Sequence, residues 1–147
     1  MAGADAKATA LSGYRLEDQV GFYLRRAGQR HAAIFAQHMT DELTPTQWAA
    51  LVKLAEFESL SQNLLGRETA MDAATIKGVV DRLVKRGFVA TAPDAQDGRR
   101  MRVSITPAGV AAVARGVAAA TAITAETLHP LQEAERRQLL ELLRRIA

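Results

Sequence analysis

Residues 61–106 read SQNLLGRETAMDAATIKGVVDRLVKRGFVATAPDAQDGRRMRVSIT, and this stretch decides the fold. Ile76, Val79, Val80, Leu83 and Val84 recur at i, i+3, i+4, i+7 and i+8, which is one face of a helix. Asp72 stands just before that helix, where its carboxylate can take a free backbone N–H and oppose the positive end of the dipole. Lys85 and Arg86 followed by Gly87 form a helix stop. Upstream, Leu64 and Leu65 give a shorter segment an apolar side, and Thr69-Ala70-Met71 is the turn between the two. This is a helix-turn-helix pattern. Downstream, Phe88–Thr91 and Met101–Ile105 are strand-length runs, the second alternating Val103 and Ile105 with Arg102 and Ser104. The loop between them carries Asp97-Gly98 and the pair Arg99-Arg100. A helix-turn-helix followed by a basic hairpin is a winged helix-turn-helix, which points to reading duplex DNA.

Charge agrees in its location. Residues 61–106 hold eight Lys/Arg against five Asp/Glu, an excess equal to the net +3 of the whole chain. Positive charge therefore collects where phosphates would be met.

Working outward, Leu43-Thr44-Pro45-Thr46-Gln47 is a helix start, with Thr44 as N-cap, Pro45 at the first helical position and Gln47 completing a capping box. That helix runs to about Glu58 and contains Trp48, a core candidate. Ser59 or Ser61 caps the next helix. Leu16–Met39 carries a broad apolar stripe that includes Tyr23, Leu24, His31, Ile34, Phe35 and His38. Thr106-Pro107 repeats the cap-plus-proline start, opening a long alanine-rich helix to about Leu128. A last helix, about Gln132–Ile146, has Leu139, Leu140, Leu142, Leu143 and Ile146 on its apolar side.

The expected fold is mainly α with a small β-wing, in one domain of 147 residues. Residues 1–14 form a loose tail, 41–106 the winged lobe, and 15–40 with 107–147 supply more apolar helix face than one chain needs. Two chains pooling those helices into a homodimer would bury it. The alanine-rich helix could nearly span a bilayer by length, but Arg115 at its centre and its small side chains argue for packing on other helices, so no membrane is expected.

The chain has no cysteine, hence no disulfide, thiolate metal site or thiol sensor. It has no Gly-x-Ser-x-Gly elbow, no phosphate-cradling glycine loop and no metal-ligand cluster, so neither an enzyme nor a cofactor is expected, and the location expected is cytoplasmic. His31 and His38 lie seven apart on the apolar stripe. Three readings stay open for them: packed interface histidines, a ligand or proton sensor, or metal binding. A winged helix used only for protein contacts is the rival function, and the arginines of the wing count against it.

The segments LTPTQWAAL, SQNLLGR, TIKGVVDRLVKRGFV, DAQDGRR and ITPAG, in this order and spacing, resemble the MarR family of bacterial transcription regulators from about Leu16 to the C-terminus. The segment LEDQVGFYLRRAGQRHAAIF further resembles a branch that regulates breakdown of nicotinate-like aromatic acids. The resemblance implies a homodimeric repressor on a pseudo-palindromic operator, released by a small aromatic carboxylate bound between the dimer bundle and the winged lobe. It implies that Ala73, Ala74, Thr75 and Lys77 face the major groove, with Gln62, Asn63 and Arg82 in the same DNA-facing set. Arg99 and Arg100 would enter the minor groove, and Asp97 would brace the wing. Where the family often has Ser-Thr and Arg, this chain has Ala74-Thr75 and Gly78. Alanine cannot hydrogen-bond a base edge, so reading by shape and backbone is expected. For the effector, Phe22, Phe35 and Trp48 are expected as apolar walls, His31 as a polar group, and Arg25, Arg26 or Arg30 as carboxylate partners.

Overall fold

The computed structural model describes residue 6 and residues 9–147; residues 1–5, 7 and 8 of the expected tail lie outside the described residues. From residue 20 onward the elements follow in the order α1 (Val20–His38), α2 (Pro45–Phe57), β1 (Ser59–Ser61), α3 (Gln62–Glu68), α4 (Ala73–Lys85), β2 (Val89–Pro93), β3 (Met101–Ile105), α5 (Pro107–Leu128) and α6 (Glu133–Ile146). Short 3-10 turns at Leu16–Asp18 and Thr40–Glu42 precede α1 and α2.

Local chemistry sets most boundaries. Thr44 and Gln47 close a reciprocal capping box on α2. Ser61 accepts from the Leu64 N–H, Asp72 from Thr75 and Thr106 from Gly109, so α3, α4 and α5 each begin at a side-chain cap. Gly87 ends α4 with φ +75, a left-handed conformation that costs glycine little. The first helix begins later than its apolar stripe suggests. Gln19 is extended (φ −99, ψ 127), so Leu16–Asp18 stay a separate turn and α1 starts at Val20.

The wing differs from a plain hairpin. Phe88 is a buried anchor ahead of β2, which runs Val89–Pro93 instead of Phe88–Thr91. Ser59 belongs to a third strand, and Ser61 alone caps α3. The antiparallel sheet has the order β1-β3-β2, with Leu60 opposite Val103 and Thr91 opposite Val103 on the other side. A central β3 has both edges paired, which holds the wing to the lobe more firmly than a two-stranded hairpin could.

The main core lies inside the winged lobe, where Leu51, Leu54, Leu65, Ile76, Leu83 and Val103 are fully or almost fully buried. A second, smaller cluster joins Ile34 and Phe35 of α1 to Ile123 of α5, with Met39 and Trp48 packed on it. Trp48 touches both clusters and so couples the lobe to the long helices. α5 is long and apolar enough to cross a membrane by length and composition, but Gly109, Ala112, Gly116 and Ile123 are buried against the rest of the chain.

Candidate functional site

The outward face of α4 presents Ala73, Ala74, Thr75, Lys77 and Arg82, while Ile76, Val79, Val80 and Leu83 hold the opposite face in the core. Lys77 pairs with Asp81 at 2.7 Å, one turn away, both well exposed. The guanidinium of Arg82 lies back along the helix over Gly78, 3.6 Å from where a Cβ there would stand. Glycine at 78 thus leaves a shallow bed, and a cation from the next turn covers it.

The wing tip is braced by two carboxylates. Asp97 accepts from the Arg99 backbone N–H (3.1 Å) and pairs with the Arg99 (3.3 Å) and Arg100 (3.6 Å) guanidinium Nε atoms. Asp94 accepts from the Gln96 and Asp97 N–H groups and pairs with Arg102 at 3.3 Å. The Arg99 side chain is still 94% exposed, free to meet an external anion. Gln62 and Asn63, in the first turn of α3, share a cleft of about 180 Å³ with Arg99, Arg100 and Met101. The structure therefore places three of the expected DNA-facing groups around one lobe: the α4 face, the start of α3 and the wing.

The N–H of Thr75 holds the Asp72 carboxyl below its ordinary value of 3.8, with the Thr75 hydroxyl adding to the effect. The Gln96 N–H lowers Asp94 in the same way, ahead of Asp97 and Arg102. A carboxyl depressed in the folded state stabilises above its unfolded pKa and loses that contribution as pH falls through the lower folded value. Both the α4 cap and the wing brace should therefore persist at pH 5 and loosen only below about pH 4. Carboxyl NMR titration should give both midpoints below 3.8, and Asp72→Asn, which keeps the cap, should remove the α4 part of the acid response. Midpoints at or above 3.8 would contradict this.

Among the described residues, the expected effector residues fall into separate groups. Phe22 packs edge-on to Tyr23 (5.3 Å) under the guanidiniums of Arg25 (5.9 Å) and Arg26 (5.5 Å). Arg30 donates to the Glu126 and Thr127 carbonyls at the end of α5, where a cation suits the dipole. His31 Nδ1 is 2.9 Å from Thr127 Oγ1, and its ring is 6.3 Å from that of Phe35. His38 pairs with Glu126 at 2.6 Å. Trp48 seats on α5 where Gly116 leaves room; a Cβ there would overlap the indole. So Phe35, Trp48 and His31 sit around the second cluster, Arg30 caps α5, and Phe22 with Arg25 and Arg26 forms a separate group. A pocket of about 320 Å³ lies beside Phe35, lined also by Ala32, Ala36, Met39, Glu42 and Pro45. Glu42 gives it an acidic rim. Among the described residues, no group of three or more His, Asp or Glu could hold a metal ion.

The MarR family model matches residues 41–100. The HTH-type transcriptional repressor NicR of Pseudomonas putida is 39% identical over 134 residues, covering 90% of this chain and 85% of NicR. The chain belongs to the MarR family. Among solved structures, a probable transcriptional regulator from Pseudomonas aeruginosa is 55% identical, with a TM-score of 0.88 over 90% of this chain and all of that one. Bordetella bronchiseptica BpsR, whose DNA binding is regulated by 6-hydroxynicotinic acid, is 40% identical with a TM-score of 0.87 over 90% of this chain and 96% of BpsR.

Two features of this MarR-family chain escape sequence reasoning. One is Asp94, read as a loop residue, which organises the wing tip. The other is Asp41, whose carboxylate binds Arg115 on α5 through two 3.1 Å bonds. Its partner is 74 residues away, and no local pattern marks it.

Proposed function

We propose that this protein is a homodimeric transcriptional repressor, bound to a pseudo-palindromic operator and released by a small aromatic acid of the hydroxynicotinate or benzoate class. The observation that carries the DNA-binding part is the exposed Arg99–Arg100 tip standing beside Gln62 and Asn63 on the lobe that presents α4. Guanidiniums there suit a minor groove while α4 occupies the major groove. A cytoplasmic location goes with this reading.

Dimerisation rests on α6. It is strongly amphipathic, yet none of its described residues is buried, and Leu140, Leu142 and Ile146 stay exposed with Val110 and Val117 of α5. Tyr14, Leu16, Val20, Tyr23 and Leu24 are likewise exposed at the other end of the chain. A 14-residue helix is marginal in water without a packed face, and a second copy supplies one. Residues 15–40 and 107–147 are accordingly assigned to the dimer bundle, and 41–106 to the DNA lobe. A stable folded monomer in sedimentation at micromolar concentration would contradict this assignment.

For the effector, likeness to BpsR, whose DNA binding is regulated by 6-hydroxynicotinic acid, supports a hydroxynicotinate. The Phe35–Trp48 region with His31 offers aromatic wall and polar donor. Among the described residues Arg25 and Arg26 have no carboxylate partner, whereas the acidic rim at Glu42 disfavours an anion. Release requires tighter binding to the lobe spacing that does not fit DNA, and by linkage operator must weaken the ligand by the same factor. Calorimetry with 6-hydroxynicotinate and benzoates, with and without operator, is expected to show that reciprocity, and His31→Ala to weaken the ligand about tenfold, the loss of one to two kcal/mol of hydrogen bonding. Binding indifferent to both operator and His31 would overturn mechanism and site together.

A further inference from the structure

The recognition helix must be held at a defined orientation to the dimer bundle if two heads are to meet two half-sites. Apolar packing supplies part of that hold, through Ala112 in the lobe core and Trp48 seated at Gly116, and polar links add to it. Thr106, the cap of α5, bonds the Gly87 carbonyl through its hydroxyl and the Phe88 carbonyl through its N–H, tying the end of α4 and the root of the wing to the first turn of α5.

A second attachment lies further along α5, about 13 Å on at the rise of a helix. There Arg115 presents its Nε and Nη2 to the two carboxylate oxygens of Asp41, 3.1 Å each, a bidentate pair. The backbone carbonyl of Asp41 accepts from Arg86, the residue that follows α4, whose guanidinium also stacks over Phe88 at 4.8 Å. Asp41 sits at φ 55 and Glu42 at φ 51, left-handed conformations that non-glycine residues adopt at some cost. Asp is among the few side chains that tolerate one. The Thr40–Glu42 turn is thus bent so that one residue faces α5 with its side chain and α4 with its carbonyl.

We propose that Asp41 is a positioning residue for operator binding: together with Arg115 and Arg86 it forms a polar strut that, added to the Thr106 junction and the Trp48 packing, fixes the α4 orientation against the dimer bundle. It rests on the reading of the protein as a dimeric DNA binder, and touches neither DNA nor effector. Losing the strut lets each lobe rock, which lowers the fraction of protein in the binding-competent arrangement and scales apparent affinity by that fraction. Both lobes must be competent at once, so a loss of about threefold per protomer becomes about tenfold for the dimer.

The test uses the full-length dimer and operator DNA across a range of salt. Asp41→Asn removes the carboxylate while keeping the left-handed preference and the carbonyl to Arg86; Arg115→Gln removes the fork. Each is expected to weaken operator binding about tenfold, with the log–log salt slope unchanged because no phosphate contact is lost. The double variant should be no weaker than either single one, since both cut the same strut. Unchanged affinity in Asp41→Asn, additive losses, or a lower salt slope in Arg115→Gln would overturn the proposal. So would unfolding of Asp41→Asn, because the residue would then hold the fold together and not just orient it. Failure of the unmodified protein to bind any operator would instead count against the DNA-binding reading.

Discussion

Replacing Arg99 and Arg100 together by alanine is expected to abolish tight operator binding at physiological salt while leaving the fold intact. The Arg99 side chain is 94% and that of Arg100 66% exposed, and among the described residues their carboxylate partner is Asp97. Their removal therefore costs little packing, and Asp97 keeps its bond to the backbone N–H of residue 99. If each guanidinium neutralises one phosphate, the dimer loses four contacts, and the log–log salt slope should fall in magnitude by about 3.6. Such a loss corresponds to about a hundredfold or more in affinity near 0.15 M salt. Fluorescence anisotropy against salt concentration reads both quantities, and a circular dichroism melt checks the fold. An unchanged slope would mean that the wing tip does not touch the backbone, and the rival reading as a protein-contact module would gain.

The second large effect concerns stability and comes from a residue with no side chain. Gly109 lies in the first turn of α5, where a Cβ would overlap the Phe88 carbonyl oxygen and stand 2.8 Å from Ile105 Cγ1. That carbonyl accepts from the Thr106 N–H, so it cannot move without breaking the junction between wing and α5. Gly109→Ala should therefore cost about 3 kcal/mol, the upper range for overpacking against backbone. The corresponding fall in Tm is roughly 6–12 °C for a chain of this size. Gly78→Ala is the control, because its Cβ would meet only Arg82 at an ordinary 3.6 Å. There the helix preference of alanine should raise stability by about 0.5–1 kcal/mol. Denaturant melts of both variants decide the matter; equal and small effects would show that the α5–wing contact is slack.

What could be read without the structure was whatever depends on neighbours in the chain. Thr44 with Gln47, Asp72, Thr106 before Pro107, and Gly87 each act within one helical turn, and the α4 stripe from Ile76 to Val84 repeats every turn. Such signals are local, and local free energies of capping and patterning favour one outcome whatever packs later. They were enough to place the winged helix-turn-helix. The resemblance of those same segments was enough to indicate the family.

Everything that joins distant parts was decided by tertiary structure. Ser59–Ser61 has a strand's conformation because β3, more than 40 residues on, offers it an edge; alone, three residues prefer nothing. That His31 and Arg30 meet the end of α5, some 96 residues away, is written nowhere in their own segment, where they are simply polar on or beside an apolar stripe. Phe22 takes Tyr23, Arg25 and Arg26 as neighbours on its own helix, whereas Trp48 seats against Gly116 of α5, a contact that its own segment does not announce. Asp41 gave no signal at all, since a carboxylate in a polar turn is ordinary until Arg115 is brought opposite it. Periodicity says which face of a helix is buried. It does not say which residue of another element will lie against that face, because that choice is set by the packing of all the elements at once.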